Sequence, residues 1–137
     1  MKNIKFYAPA IGWGIFVFTL SVWPGKDFPQ IPQWTDLFSV DKLVHMLFYG
    51  IMAALILRGW FQSQKIAGKD GFTTKKDSNL FILGLLVAAF CSAFGWAIEW
   101  IQENYCADRM FEILDGVANT IGACIGTFLV IWFTKKR

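Results

Sequence analysis

With 137 residues, 55% of them hydrophobic, 18% aromatic and only 17% charged, the chain is too apolar for an ordinary soluble domain, which carries about 25% charged residues. The formal net charge of +3 does not mark a nucleic-acid-binding surface, because the positive residues are grouped at three places that a membrane topology explains. Three cysteines, Cys91, Cys106 and Cys124, make an odd count without metal-ligand spacing, which excludes a disulfide framework and a cysteine-based zinc site.

Four apolar windows have the length needed to cross a hydrocarbon core about 30 Å thick at about 1.5 Å per residue. The first runs from Phe6 to Trp23. Two lysines precede it as in a signal peptide, but its apolar core is long and it is followed by Val22-Trp23-Pro24 rather than by small cleavage-site residues, so it is read as a retained helix. Pro24, Gly25, Pro29 and Pro32 then mark an irregular loop. The second window is Lys42 to Phe61, followed by the polar linker SQKIAGKDGFTTKKD. The third is Asn79 to Ile101 and the fourth Gly116 to Thr134. The expected fold is therefore all-α: a single domain over residues 1–137, built as a polytopic four-transmembrane-helix bundle.

Charge sets the expected orientation. Ten of the thirteen Lys and Arg lie at the N-terminus, in or beside the linker after the second window, or at the C-terminus; the positive-inside rule places these regions, and both termini, in the cytoplasm. Eight of the ten acids lie at the opposite ends of the helices. Trp23, Trp34 and Trp100 near the outer interface, with Trp60 and Trp132 near the inner one, agree with an aromatic belt at each interface.

At those outer ends the polar residues fall on helical faces. Asp41, His45 and Tyr49 are four apart beside Lys42; Ser92, Gly95, Glu99 and Gln102 follow at three, four and three; Asp115, Asn119, Gly122 and Gly126 follow at four, three and four. A charged side chain at a helix centre costs about 2.5–3.5 kcal/mol on insertion scales, so such faces turn to a bundle interior or a wet cavity. Glu99, in the last turn of its window, is thus expected to line an outward-opening pocket shared by three helices. Gly122 and Gly126 form a GxxxG pair suited to close packing. Outward N-termini of the second and fourth helices, with Lys42 and Arg109, favour an anion at the rim. The expected ligand-binding residues are Lys42, His45, Tyr49, Glu99, Gln102, Arg109, Asp115 and Asn119, with His45, Glu99 and Asp115 as candidate acid-base groups. Against this stands a purely structural reading: Glu99 snorkelling at the interface, Asp115 acting only as an N-cap, and the whole set holding helices together. No resident cofactor and no metal are expected, since the oxygen and nitrogen donors lack HExxH or DxD spacing.

DKLVHMLFY (Asp41 to Tyr49), IEWIQ (Ile98 to Gln102), Arg109 and DGVANTIGACIG (Asp115 to Gly126) together resemble the VanZ-like family of small bacterial membrane proteins, over the last three helices and roughly 90 residues. One departure is the turn CADR (Cys106 to Arg109), where that family commonly has Pro-Gly ahead of the arginine. The resemblance implies a multi-pass protein of the bacterial cytoplasmic membrane, an association with resistance to lipid-tailed glycopeptides such as teicoplanin, and Lys42, His45, Glu99, Gln102, Arg109, Asp115 and Asn119 as the motif positions. It supplies no reaction. The expected function is binding of an anionic or amphiphilic headgroup, from an envelope lipid, a cell-wall precursor or a lipoglycopeptide. The alternatives are a membrane-embedded enzyme acting on such precursors, or a proton-coupled flippase, for which four unbroken helices offer no polar path across. The expected partners are membrane lipids and a lipid-linked or glycopeptide ligand, with no nucleic acid; a homo-oligomer is left open.

Overall fold

The computed structural model of the chain describes residues 4–23, 40–66, 77–106 and 112–136, and the described residues are helical apart from short ends. A single 3-10 turn, Ile4–Phe6, leads into α1 (Ala8–Val22), followed by α2 (Val40–Ile66), α3 (Asp77–Tyr105) and α4 (Ile113–Lys135). Pro9 stands in the first turn of α1, where its missing N–H costs nothing because the first four amides of a helix have no intrahelical partner. α2, α3 and α4 are long and apolar enough to cross a membrane; α1, at 15 residues, spans only about 22 Å as an α-helix.

The helices extend past the apolar windows read from sequence. α3 continues through Gln102, Glu103 and Asn104 to Tyr105, because these residues can keep the backbone ladder going while their side chains reach polar partners or water. Glu99 therefore lies two turns inside the helix end rather than in its last turn. Likewise α4 begins at Ile113 with Glu112 as its N-cap residue. Asp115 is thus already helical and is not the N-cap, and Glu112 itself makes no side-chain capping bond.

Contacts fix the helix directions. The α2 backbone at Met46 and Gly50 faces Gly122 and Gly126 of α4, in the same order along both chains, so these two helices run parallel. Gly84 of α3 meets Thr127 and Ile131, and Gly95 meets Asn119, in reverse order, so α3 is antiparallel to α4. Tyr7 at the start of α1 packs at Gly59 near the end of α2, and Trp13 Nε1 donates to the Phe48 carbonyl oxygen at 2.9 Å. The N-termini of α2 and α4 and the C-termini of α1 and α3 consequently share one end of the bundle. Lys5, Lys65, Lys135 and Lys136 lie at the other, where Lys136 Nζ stands 4.8 Å above the Trp132 ring.

Burial is inverted relative to a water-soluble protein. Phe81, Leu85, Leu86, Phe90, Phe128 and Phe133 are exposed at 60–70% while Lys42, Glu99, Gln102, Asp115 and Asn119 are buried. In water that surface would be a large aggregation-prone patch. Against lipid tails it costs nothing, and the helices satisfy their own backbone groups as a membrane span requires. The chain is an integral membrane protein on these grounds. Inside, Tyr49, Met52, Ala53 and Leu57 of α2 pack with Val17, Val87, Cys91, Ile98 and Ala123.

The closest approach in the bundle is α2 on α4. A Cβ added at Gly122 would run into the backbone of Met46, and one at Gly126 into that of Gly50. Neither obstacle is a movable side chain, so the helices must separate to admit one. Gly126→Leu and Gly122→Leu should each destabilise the protein by at least the roughly 1–3 kcal/mol typical of overpacking. Gly12→Ala, where the added carbon meets nothing within 4 Å, should leave stability nearly unchanged; thermal unfolding in detergent micelles separates the three variants.

Candidate functional site

The end of the bundle shared by the N-termini of α2 and α4 carries a buried polar cluster. Parallel α2 and α4 hold equivalent turns side by side, so Asp41, Lys42 and His45 in the first two turns of α2 stand opposite Glu112, Asp115 and Asn119. Lys42 Nζ lies 3.2 Å from Asp115 Oδ1 and 3.3 Å from Glu112 Oε2. The Lys42 and Asp115 side chains are 10% and 8% exposed, whereas Glu112 is 55% exposed. The Asp115 contact carries the weight, since a desolvated charge needs its partner far more than one at the rim.

His45 is the hinge of the cluster. Its Nδ1 lies 2.9 Å from Asn119 Oδ1; an amide oxygen only accepts, so Nδ1 carries the proton and donates. Nε2 then presents its lone pair on the opposite side of the ring, 3.8 Å from both Asp41 Oδ1 and Asp115 Oδ2. Those separations are beyond a direct hydrogen bond. Asn119 is fully buried and is pressed from α3, where Gly95 leaves room for it: a Cβ there would fall 2.8 Å from Asn119 Nδ2.

Glu99 enters from α3. It is 2% exposed, its carboxylate lies within electrostatic reach of His45, Asp115 and Glu112, and its Oε1 has no hydrogen-bond partner among the described residues. Asn119 Nδ2 is in the same position. Buried polar atoms without partners are costly and uncommon, about 1–3 kcal/mol each; Thr127 Oγ1, deeper on α4, is another among the described residues.

Two of the residues expected at the site are directed elsewhere. Gln102 is buried, but its Nε2 donates to the Ser21 carbonyl oxygen at 2.8 Å, which fastens the end of α3 to the end of α1; Cys106 Sγ makes a longer contact to the next carbonyl, Val22 O, at 3.8 Å. Tyr49, one turn below His45, is 1% exposed in the apolar core, with its ring 6.4 Å from that of Phe94. Arg109 lies outside the described residues. Conversely, Asp41 and Glu112 belong to the cluster although the sequence reading leaves both out of the site. Asp41 is findable as the i−4 neighbour of His45; Glu112 precedes the apolar window of α4 and carries no comparable signal.

Among the described residues the cluster holds four carboxylates, Asp41, Glu99, Glu112 and Asp115, against Lys42 and one imidazole. Lys42 is engaged by two of those carboxylates, so it does not stand open to an anion as the sequence reading expects. Below the cluster, α1, α2 and α3 enclose an apolar groove of about 400 Å³ lined by Tyr7, Gly14, Met52, Ile56, Phe90 and Phe94, among others. Its Phe94 end lies one and a half turns from Glu99, about 7–8 Å along α3.

No family model, no curated protein and no solved structure matches the chain.

The ion-pair geometry has a measurable consequence. Lys42→Met strands a buried aspartate and should cost about 3–5 kcal/mol, the range for breaking a buried pair. Adding Asp115→Asn should recover much of that loss. Glu112→Gln, at the exposed rim, should cost no more than about 1 kcal/mol. Chemical unfolding in mixed micelles, followed by tryptophan fluorescence, checks the order.

Proposed function

We propose that the chain is a four-span, VanZ-like protein of the bacterial cytoplasmic membrane that holds the headgroup of an anionic or amphiphilic molecule in a pocket opening to the outside. An envelope lipid, a cell-wall precursor or a lipoglycopeptide all have the required chemistry, and a role in glycopeptide resistance follows if the last is the ligand. The carrying observation is the meeting of Lys42, His45, Glu99, Asp115 and Asn119 from three helices at one buried level, with polar atoms of Glu99 and Asn119 left unpaired; a separate apolar groove between α1, α2 and α3 lies deeper in the bundle. Polar groups above and hydrocarbon-lined space below suit the two halves of an amphiphile. Arg109, by resemblance to the family motif, supplies the positive charge that Lys42 does not have to spare.

Support for four spans comes from the start of the chain. The 3-10 turn Ile4–Phe6 and Tyr7 precede α1 without a break, and at about 2.0 Å per residue the tighter helix adds roughly 6 Å, bringing the first helical segment to nearly the thickness of the hydrocarbon core. Basic residues at the end away from the cluster support cytoplasmic termini. A cysteine placed at Lys5 or Lys136 of a cysteine-free variant should resist a membrane-impermeant maleimide in intact cells, whereas one at Glu112 should react. Labelling of both ends, or of the termini alone, refutes the orientation.

A second reading is favoured by one observation. His45 Nε2 is 3.8 Å from Asp115 Oδ2, a spacing that one water bridges and that substrate binding commonly tightens. This suits a membrane-embedded enzyme acting on lipid or cell-wall precursors, with Glu99 or Asp115 as base and His45, once protonated at Nε2, as acid. Native mass spectrometry of the purified protein tests the binding reading: wild type should retain an anionic amphiphile that Arg109→Ala loses, and identical lipid complements in the two would refute it. Under the enzymatic reading, at least one of Glu99→Gln and Asp115→Asn keeps the amphiphile and abolishes its conversion.

A further inference from the structure

The carboxylates and imidazole at the mouth of the cluster are arranged in a way that headgroup binding does not require. Asp41, His45 and Asp115 each direct one donor atom to a common point, and these atoms lie within 4.8 Å of one another. The two distances from His45 Nε2, both 3.8 Å, are too long for hydrogen bonds and shorter than twice a metal-ligand bond of about 2.0–2.2 Å. A single ion can therefore touch the ring nitrogen and either oxygen without moving the helices. Asp41, at 55% exposure, can swing to close the remaining gap.

We infer that Asp41, His45 and Asp115 form a site for a divalent transition-metal ion, with at least one coordination position open to the pocket. Three features beyond proximity support this. The Nδ1–H of His45 donates to Asn119 Oδ1 at 2.9 Å, which fixes the tautomer whose Nε2 lone pair faces the two carboxylates, the usual outer-shell arrangement of a metal-binding histidine. Asp115 divides its oxygens: Oδ1 goes to Lys42 at 3.2 Å and Oδ2 faces His45, so the lysine orients the carboxylate and does not block it. Glu99, 2% exposed with Oε1 unpartnered among the described residues, adds a further buried carboxyl group within electrostatic reach of His45 and Asp115. One imidazole and two carboxylates suit zinc or manganese better than calcium or magnesium, which take oxygen ligands alone.

Such an ion offsets the excess of carboxylates in the cluster, and its open position would take a phosphate or carboxylate oxygen. Ion binding itself does not depend on the headgroup reading, because it can be measured on protein stripped of lipid.

The full-length protein in lipid-free detergent micelles, treated with chelator and desalted, is titrated with zinc against a fluorescent zinc indicator and, separately, with manganese followed by loss of its free-ion electron paramagnetic resonance signal. Wild type should take up one ion per chain. His45→Gln should abolish uptake, and Asn119→Leu should weaken it by about 10–100-fold, the usual effect of losing an outer-shell partner. Asp41→Asn changes only a half-exposed residue at the helix start, so it keeps the fold and should still weaken binding by about tenfold or more, comparable to that outer-shell loss. Uptake no greater than that of empty micelles, or uptake unchanged in Asp41→Asn and His45→Gln, overturns the assignment.

Discussion

The parallel passage of α2 against α4 is the constraint on which the polar cluster depends. Parallel helices keep equivalent turns level, and the glycines at 122 and 126 let the two backbones approach to where side chains normally intervene. Above that contact the helices still lie close enough for Lys42 to reach Asp115 and for His45 to reach Asn119. Widening the crossing by one methyl group would draw those pairs apart together. Lys42, Asp115 and Asn119 are buried, so their separation would leave polar groups without partners, and packing at the glycines and pairing at the cluster are coupled.

How much of this was legible from the chain depends on which physical signal each feature leaves. Length and hydropathy give four apolar windows, three of which correspond to helices long and apolar enough to cross a membrane, and the spacing of Asp41 with His45 and of Asp115 with Asn119 locates the two faces that do meet. Hydropathy measures transfer from water, not backbone hydrogen bonding, so it ends α3 at Ile101 although the ladder runs to Tyr105. Three residues of helix turn about 300°, which leaves Gln102 roughly 60° off the face of Glu99; from there it reaches the Ser21 carbonyl of α1 instead of the shared pocket. Tyr49 shares the angular position of His45 but lies a turn deeper, where the interior has become apolar. Periodicity gives angle without saying at what depth a face changes character.

Depth and charge together explain why Glu112 escapes a sequence reading. A residue one position before an apolar helix ordinarily reads as a cap. Here it makes no side-chain cap bond and turns to Lys42, because the lysine is itself held by Asp115 from the turn below. Its role arises from a neighbour 70 positions away, and no local pattern carries such information.

The chain is basic overall, +3, while its buried cluster is acidic, and this opposition bears on what the pocket can hold. Apart from Lys42, the basic residues among those described, Lys5, Arg58, Lys65, Lys135 and Lys136, lie toward the far end of the bundle, roughly 30 Å away across the hydrocarbon core, and screening reduces interactions between exposed charges at that range to little. Among the described residues the cluster therefore experiences chiefly its own charges. Four carboxylates and one engaged lysine repel an incoming phosphate, although helix N-termini on α2 and α4 attract it. Helix ends contribute about half a charge apiece and cannot by themselves reverse the sign. An anionic headgroup bound there would need additional positive charge, which on the proposed reading Arg109 of the connecting segment or a cation held by the carboxylates would supply. On the metal-site proposal, the carboxylates would keep a positive centre at the cluster rather than obstruct an anionic ligand.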